Sequence, residues 1–400
     1  MPLTSARLSL VFSCLGHFYI HMFTAFFFVI VLTLEIEWNR PYDELFPLWT
    51  LGSVLLGVLA IPAGRLGDAW SVRGMMTLFF IGMGAASIVC GLIAEPIPLM
   101  LGLAGIGAFG AIYHPIGVPW LIRNTTRNTG KILAVNGVFG SLGNAGAGIV
   151  AGLLIDYLSW RAAFIVPGVL CLVTGFAMFY YVAAGRIVDG GAADNEEAAA
   201  SRADVVRVFA IILVALFVGG MIYHSTQGAL PKLFSVRLAD FVGEGATGIG
   251  ALVSIVYAVG AVMQLAGGFL ADRYALKPIY IVSWFAQVFM LMAIALAAGI
   301  GLVGAAILSV MANHGMLPAE NMLLYRYAPK KHRGLVFGIK FVIAFGTGPL
   351  SVLLISWVWA EAGGFTWLFG GLSAAALALF ALLWALPSEP RKARAVGAGD

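Results

Sequence analysis

Long apolar stretches alternate with short polar breaks from one end of the chain to the other. Runs nearly free of charge occupy residues 8–34, 45–63, 74–94, 97–121, 132–155, 162–183, 207–229, 247–266, 278–298, 301–325, 335–358 and 365–386. Each is about 20–27 residues long, enough at 1.5 Å per residue to cross the roughly 30 Å hydrocarbon core of a bilayer. The pattern predicts an all-α integral membrane protein with twelve transmembrane helices, spans 1–12. The longest break, 184–206, is rich in Ala, Gly, Asp and Glu and predicts a flexible cytosolic linker. It separates one six-helix bundle, 1–183, from a second, 207–400, that ends in a short cytosolic tail.

Composition agrees with lipid as the solvent. Of 400 residues, 61% are hydrophobic and 10% charged, and mean hydropathy is +0.97. A soluble domain is nearer half apolar and a quarter charged. Fifty glycines fit close helix packing in lipid, where small residues let backbones approach. Cys14, Cys90 and Cys171 lie in apolar stretches at spacings that suggest neither a disulfide framework nor a zinc site. The N-terminal apolar run is longer than a signal-peptide core and is expected to stay as span 1. With the N-terminus in the cytosol, 18 of the 23 Lys and Arg residues fall on cytosolic segments. Arg40, Arg161, Lys232 and Arg237 fall outside, and Lys340 lies within span 11. This bias predicts a multi-pass protein of the bacterial inner membrane with both termini cytoplasmic.

The two halves repeat. Gly64-Arg65-Leu66-Gly67-Asp68-Ala69-Trp70-Ser71-Val72-Arg73 follows span 2, and Gly268-Phe269-Leu270-Ala271-Asp272-Arg273-Tyr274-Ala275-Leu276-Lys277 follows span 8. Gly, Leu, Asp and a terminal base recur in one register, 204 residues apart, which marks an internal duplication. The glycine allows two helices to close tightly, and the Asp can accept from a helix N-terminus or a neighbouring Arg. Gly64, Asp68, Arg73, Gly268, Asp272, Arg273 and Lys277 are thus expected to form a conformational latch. The loops resemble the signature of the major facilitator superfamily, with Ala69 and Ser71 departing from it. The resemblance implies two pseudo-symmetric bundles, alternating access, and a cavity lined by spans 1, 4, 7 and 10. Tyr113-His114-Pro115, the glycines between Gly137 and Gly148, and Trp160-Arg161 before Phe164 resemble the fosmidomycin-resistance branch of efflux proteins. That branch carries a glutamate where this chain has Ile116.

Five of the six histidines lie inside spans 1, 4, 7 and 10: His17 and His21, His114, His224 and His314. His21 and His224 are 203 residues apart, His114 and His314 200 apart, close to the loop offset. An intramembrane imidazole usually faces a cavity or a partner, and it titrates near pH 6.5. Substrate binding, proton coupling and interhelical hydrogen bonding all remain open for this set. Glu320 in span 10 and Lys340 in span 11 could pair, bind an anion or relay protons. Tyr19, Tyr113 and Tyr223, with Phe18, are expected to shape the pocket. Pro115 and Pro119 are expected to break span 4, Pro318 to break span 10, and Pro349 to bend span 11.

These features predict a proton-coupled secondary transporter exporting a small organic solute, monomeric and without a cofactor. The partners expected are the solute, protons and the bilayer, with no nucleic acid. A second reading is a copper or other transition-metal carrier. Cys14, His17 and His21 share one face of span 1, and His224, Met311 and His314 add imidazole and thioether. A third is a non-transporting receptor or assembly factor on the same scaffold. No Walker loop, His-Glu-x-x-His or nucleophile elbow occurs, so nothing points to ATP driving or to an enzyme.

Overall fold

The computed structural model describes residues 4–125, 129–188, 202–243, 245–328 and 333–387. Linker residues 189–201, the tail from 388, Arg127, Lys330, Lys331 and His332 lie outside them. Eleven helices among the described residues are long and apolar enough to cross a membrane. Tyr42–Val58 with Ala60–Ala69, bent by 41°, makes the twelfth.

Span 1 is Ser5–Ala25 continued by Phe27–Glu37, span 2 the bent pair, and span 3 Val72–Leu92. Span 4 is Pro96–Gly110 with Tyr113–Arg123, span 5 Thr129–Tyr157, and span 6 Trp160–Ala183. In the second half, spans 7–12 are Arg202–Arg237, Ala246–Arg273, Leu276–Leu296, Gly299–Tyr327, Arg333–Ala362 and Thr366–Leu383. Leu170, Val173 and Phe176 on span 6, and Val282, Phe285 and Phe289 on span 9, are exposed. Lipid tolerates such side chains, as the composition requires.

Three expectations change. Span 7 runs two turns past the expected residue 229, so Lys232 and Arg237 belong to a helix rather than to a loop. Span 4 breaks at Ala111–Ile112, before Pro115, and Pro119 sits inside the following helix. Span 10 stays helical through Pro318. A proline removes one backbone bond, and neighbouring helices can re-satisfy the freed carbonyl within a bundle.

The packing is the same in each half. Spans 3 and 6 pair as 9 and 12 do, spans 2 and 4 as 8 and 10, and spans 1 and 5 as 7 and 11. Glycines permit the 2–4 and 8–10 approaches. A Cβ on Gly107 would lie 1.9 Å from the Gly52 carbonyl, and one on Gly267 2.1 Å from that of Gly315. The halves meet along spans 5 and 8 and along spans 2 and 11.

Several cross-half contacts lie at one end of the molecule, the end carrying Glu35. There Gly148 and Gly250 touch backbone to backbone. Asp156 of span 5 accepts from the first amides of span 8, Ala246 and Thr247, each at 2.8 Å. Asp156 thus caps a helix of the other half, where the helix dipole favours a carboxylate. Glu35 pairs with Lys232 at 2.5 Å. At the opposite end, Ala60–Ala69 and Tyr113–Arg123 pack chiefly within their own half, with the His114 ring 5.3 Å from that of Phe345 in the other.

Candidate functional site

A cavity of about 270 Å³ lies between the halves. His17, His21, His114, His224 and His314 all line it, as do Tyr223, Glu320 and Lys340. The structure therefore brings together every intramembrane histidine among the described residues. Tyr19 is a correction. It is two residues from both His17 and His21, about 200° around the helix, so it cannot share their face. It packs away from the cavity, 3.3 Å from Thr174 of span 6 and against Phe23 and Phe80. Tyr113 is fully buried behind His17, and Cys14 and Met311 do not line the cavity.

The first half builds a neutral network. Tyr113 donates to the Ser13 carbonyl at 2.8 Å, and Asn136 donates to the Tyr113 hydroxyl at 3.0 Å and to Ser13 Oγ at 3.1 Å. Gly16 and Gly117 leave room for the Tyr113 ring, since a Cβ on either would lie 2.8 or 2.7 Å from it. His17 Nδ1 donates to the Asn136 carbonyl at 2.8 Å, and its ring stacks on Tyr113.

The second half builds a charged one. Lys340 Nζ is 2.8 Å from Glu320 Oε1, and Tyr280 donates to Glu320 Oε2 at 2.7 Å. Lys340 also donates to Asn321 at 2.6 Å. Glu320 is 3% exposed and Lys340 9%. Burial of such a pair is tolerated only when the remaining polar atoms are satisfied, as Tyr280 and Asn321 do here. Asn136 and Lys340 are 204 residues apart, the same offset as the repeated segments. The duplicated position is thus an amide in one half and an ammonium in the other. His224 Nε2 donates to the Ala344 carbonyl and His314 Nδ1 to that of Val310, each at 3.1 Å.

Uncharged amides bridge the halves. Asn144 of span 5 donates to Tyr223 of span 7 at 2.8 Å and accepts from Gln227 at 2.8 Å. Ser141 donates to Gln264 of span 8 at 2.9 Å. Sequence reasoning centred on titratable groups passed over Asn136, Gln227, Gln264 and Asn313, and took Asn144 only as part of a glycine run. The signal was present: an amide inside an apolar run must find a partner.

This arrangement, two equivalent bundles with a central cavity, has a counterpart in known families. The sequence matches the Major Facilitator Superfamily over residues 10–300 and 237–400. The chain belongs to the major facilitator superfamily.

Its architecture is also that of a solved structure, a bacterial homologue of the human lysosomal transporter Spinster. The TM-score is 0.70 at 13% identity, over 96% of this chain and 95% of that one. Among curated relatives, the puromycin resistance protein of Streptomyces alboniger is 31% identical over 28% of this chain and 23% of its own length. The cephamycin export protein CmcT of Amycolatopsis lactamdurans is 26% identical over 41% of this chain and 34% of its own. The match therefore spans only about a quarter to a third of each relative.

The repeated superfamily segments are not loops as expected: Gly64 to Ala69 and Gly268 to Arg273 end helices, and they take distinct partners in the two halves. Asp68 lies 3.4 Å from Arg123 at the end of span 4. Arg73 donates to the Ile187 carbonyl at 2.9 Å, after span 6. Its counterpart Lys277 donates to the carbonyls of Trp384 and Leu386, after span 12. The terminal base of each segment thus ties span 3 or 9 to the end of its own half. A Cβ on Gly64 would sit 3.4 Å from Pro115, whereas Gly268 faces open space. Arg273 lies over the Phe269 ring. Ile116 occupies the space left by Gly67, where a Cβ would be 2.0 Å from its Cδ1.

Proposed function

We propose that the chain is a secondary transporter that moves a small organic solute through the central cavity by alternating access. The observation that carries this reading is the cavity itself. It lies between two equivalent bundles, and both halves contribute histidines to it. The lining mixes apolar and aromatic side chains, such as Phe28, Trp49 and Phe345, with amides and one buried ion pair. Such a lining suits an amphipathic organic molecule. The bundles are 1–183 and 207–400, with 184–206 as their link. The positive-inside bias supports an orientation with the Asp68 end and both termini in the cytosol of a bacterial cell. The contacts at the Glu35 end then close the outer side, and the cavity faces inward. Export is preferred because relatives are named for puromycin resistance and cephamycin export, and because of the resemblance to the fosmidomycin-resistance branch.

Proton coupling is assigned to Glu320 and its partners. A carboxylate held by Lys340 and Tyr280 can release the ammonium when protonated, which links proton occupancy to the geometry of spans 9, 10 and 11. The first step of the test is a thermal-shift screen of organic solutes that includes puromycin, since a bound solute raises apparent stability. Transport of a hit is then measured in proteoliposomes under an imposed pH gradient.

Glu320→Gln leaves the Lys340 charge unpaired at a cost of about 3–5 kcal/mol. Gradient-driven transport is expected to fall by more than about 100-fold. The double variant Glu320→Gln/Lys340→Met removes both charges and is expected to fold and bind solute without accumulating it against a gradient. Uphill accumulation by that double variant would sink the coupling assignment. Absence of flux for every solute that binds would instead favour the receptor reading.

A further inference from the structure

We infer that His17, His21 and His114 form a site for a divalent first-row transition-metal ion, with one coordination position left open to the cavity. One ring nitrogen from each histidine lies within 4.8 Å of the other two. Ligands of a tetrahedral ion at 2.0–2.1 Å stand about 3.3 Å apart, so small ring rotations close the set. The three rings already contact each other, with centroids 5.0, 5.5 and 5.6 Å apart. His17 and His21 are one helical turn apart on span 1, and His114 faces them from span 4.

The orientation of His17 is the second observation. Its Nδ1 lies 2.8 Å from the Asn136 backbone carbonyl, which can only accept. Nδ1 therefore carries the proton, and Nε2 presents a lone pair. A metal-bound histidine typically donates its other nitrogen to just such a carbonyl, which sets its tautomer. Gly140 makes room for the ring itself: a Cβ there would lie 2.6 Å from Nε2 and 2.7 and 2.8 Å from the two ring carbons beside it. Tyr113, stacked on the ring, prevents rotation away from this pose.

The chemistry of the set selects the ion class. Three imidazoles with no thiolate and no carboxylate suit Zn²⁺, Co²⁺, Ni²⁺ or Cu²⁺ rather than Mg²⁺ or Ca²⁺. Three protein ligands are also the number found where a metal keeps a position for an exchangeable ligand. The site brings no negative charge of its own, so that position favours an anionic donor from within the cavity.

The site is tested without any transport assay, so its failure is separate from failure of the transport reading. Purified full-length protein without a histidine tag is titrated with Co²⁺ alone and followed by visible absorption. One equivalent is expected to give the intense ligand-field bands of four-coordinate cobalt. His21→Gln and His114→Gln are each expected to abolish those bands, while His224→Gln, on the opposite half, keeps them. Melting curves without metal establish that each variant is folded; should one histidine variant not fold, the other carries the comparison. Weak six-coordinate spectra throughout, or bands that survive both histidine substitutions, would overturn the proposal.

Discussion

Leucine at Gly148 is expected to hold the Glu35 end of the molecule open. Spans 5 and 8 cross there with no side chain between them. A Cβ on Gly148 would lie 2.5 Å from the Gly250 carbonyl oxygen, and one on Gly250 2.2 Å from that of Gly148. Backbone cannot rotate aside as a flexible side chain can, so the added bulk must separate the spans. Overpacking of this kind costs about 1–3 kcal/mol. The cost falls on the conformation in which the spans touch and is relieved when the halves part. A difference of that size shifts a two-state equilibrium by about 5–150-fold. Spin labels on cysteines placed at exposed Arg40 and Asp240 would measure it, because Cys14, Cys90 and Cys171 are buried. The expected result for Gly148→Leu is a longer label distance together with loss of transport. An unchanged distance with transport intact would refute this role for the crossing.

The second large effect is expected at the pair that clasps the same end. Lys232 reaches Glu35 across the halves and lies over the rings of Tyr42 and Trp359, 5.2 and 4.8 Å from their centroids. Lys232 is 8% exposed. Glu35→Gln leaves that ammonium in a half-closed aromatic box without its counter-charge. Removing one partner of a buried pair costs about 3–5 kcal/mol, whereas removing both can be neutral. Glu35→Gln is therefore expected to lower the melting temperature markedly and to lengthen the same label distance. The double variant Glu35→Gln/Lys232→Met is expected to recover most of the stability. A double-mutant cycle decides the matter. Additive losses would show that the two side chains do not support one another, and the clasp would be abandoned.

Much of this protein is visible in one dimension because lipid imposes a simple rule. Every crossing must be long, apolar and helical. The twelve runs and the repeated Gly-x-Leu-small-Asp segments therefore appear directly, and the 204-residue offset relates halves whose helices pack in the same pairs. The cavity histidines were legible for the same reason. An imidazole inside an apolar run is costly, so five of them on spans 1, 4, 7 and 10 already pointed to a shared polar space.

Other features were not legible, each for a definite reason. Tyr19 has the right composition for a pocket residue, but helical phase turns it toward span 6. Lys232 looked like a loop charge, because hydropathy marks where apolar residue runs end and not where the helix ends. The prolines looked like breaks, because a sequence does not show which neighbouring helix satisfies the freed carbonyl. The partner of Asp68 was unforeseen because Arg123 is 55 residues away and serves equally well as a topology signal.

The sequence by itself determined the number and order of crossings, the duplication, and the residue types available to the centre. Those follow from local rules of solvent and periodicity that act on neighbours along the chain. Tertiary structure alone decided which side chains face one another. It set Asn136 behind His17, Tyr280 and Lys340 on Glu320, Asn144 between the halves, and three imidazoles within reach of one ion. Those choices depend on how helices far apart in sequence rotate and approach, which close packing fixes only when the whole bundle is assembled.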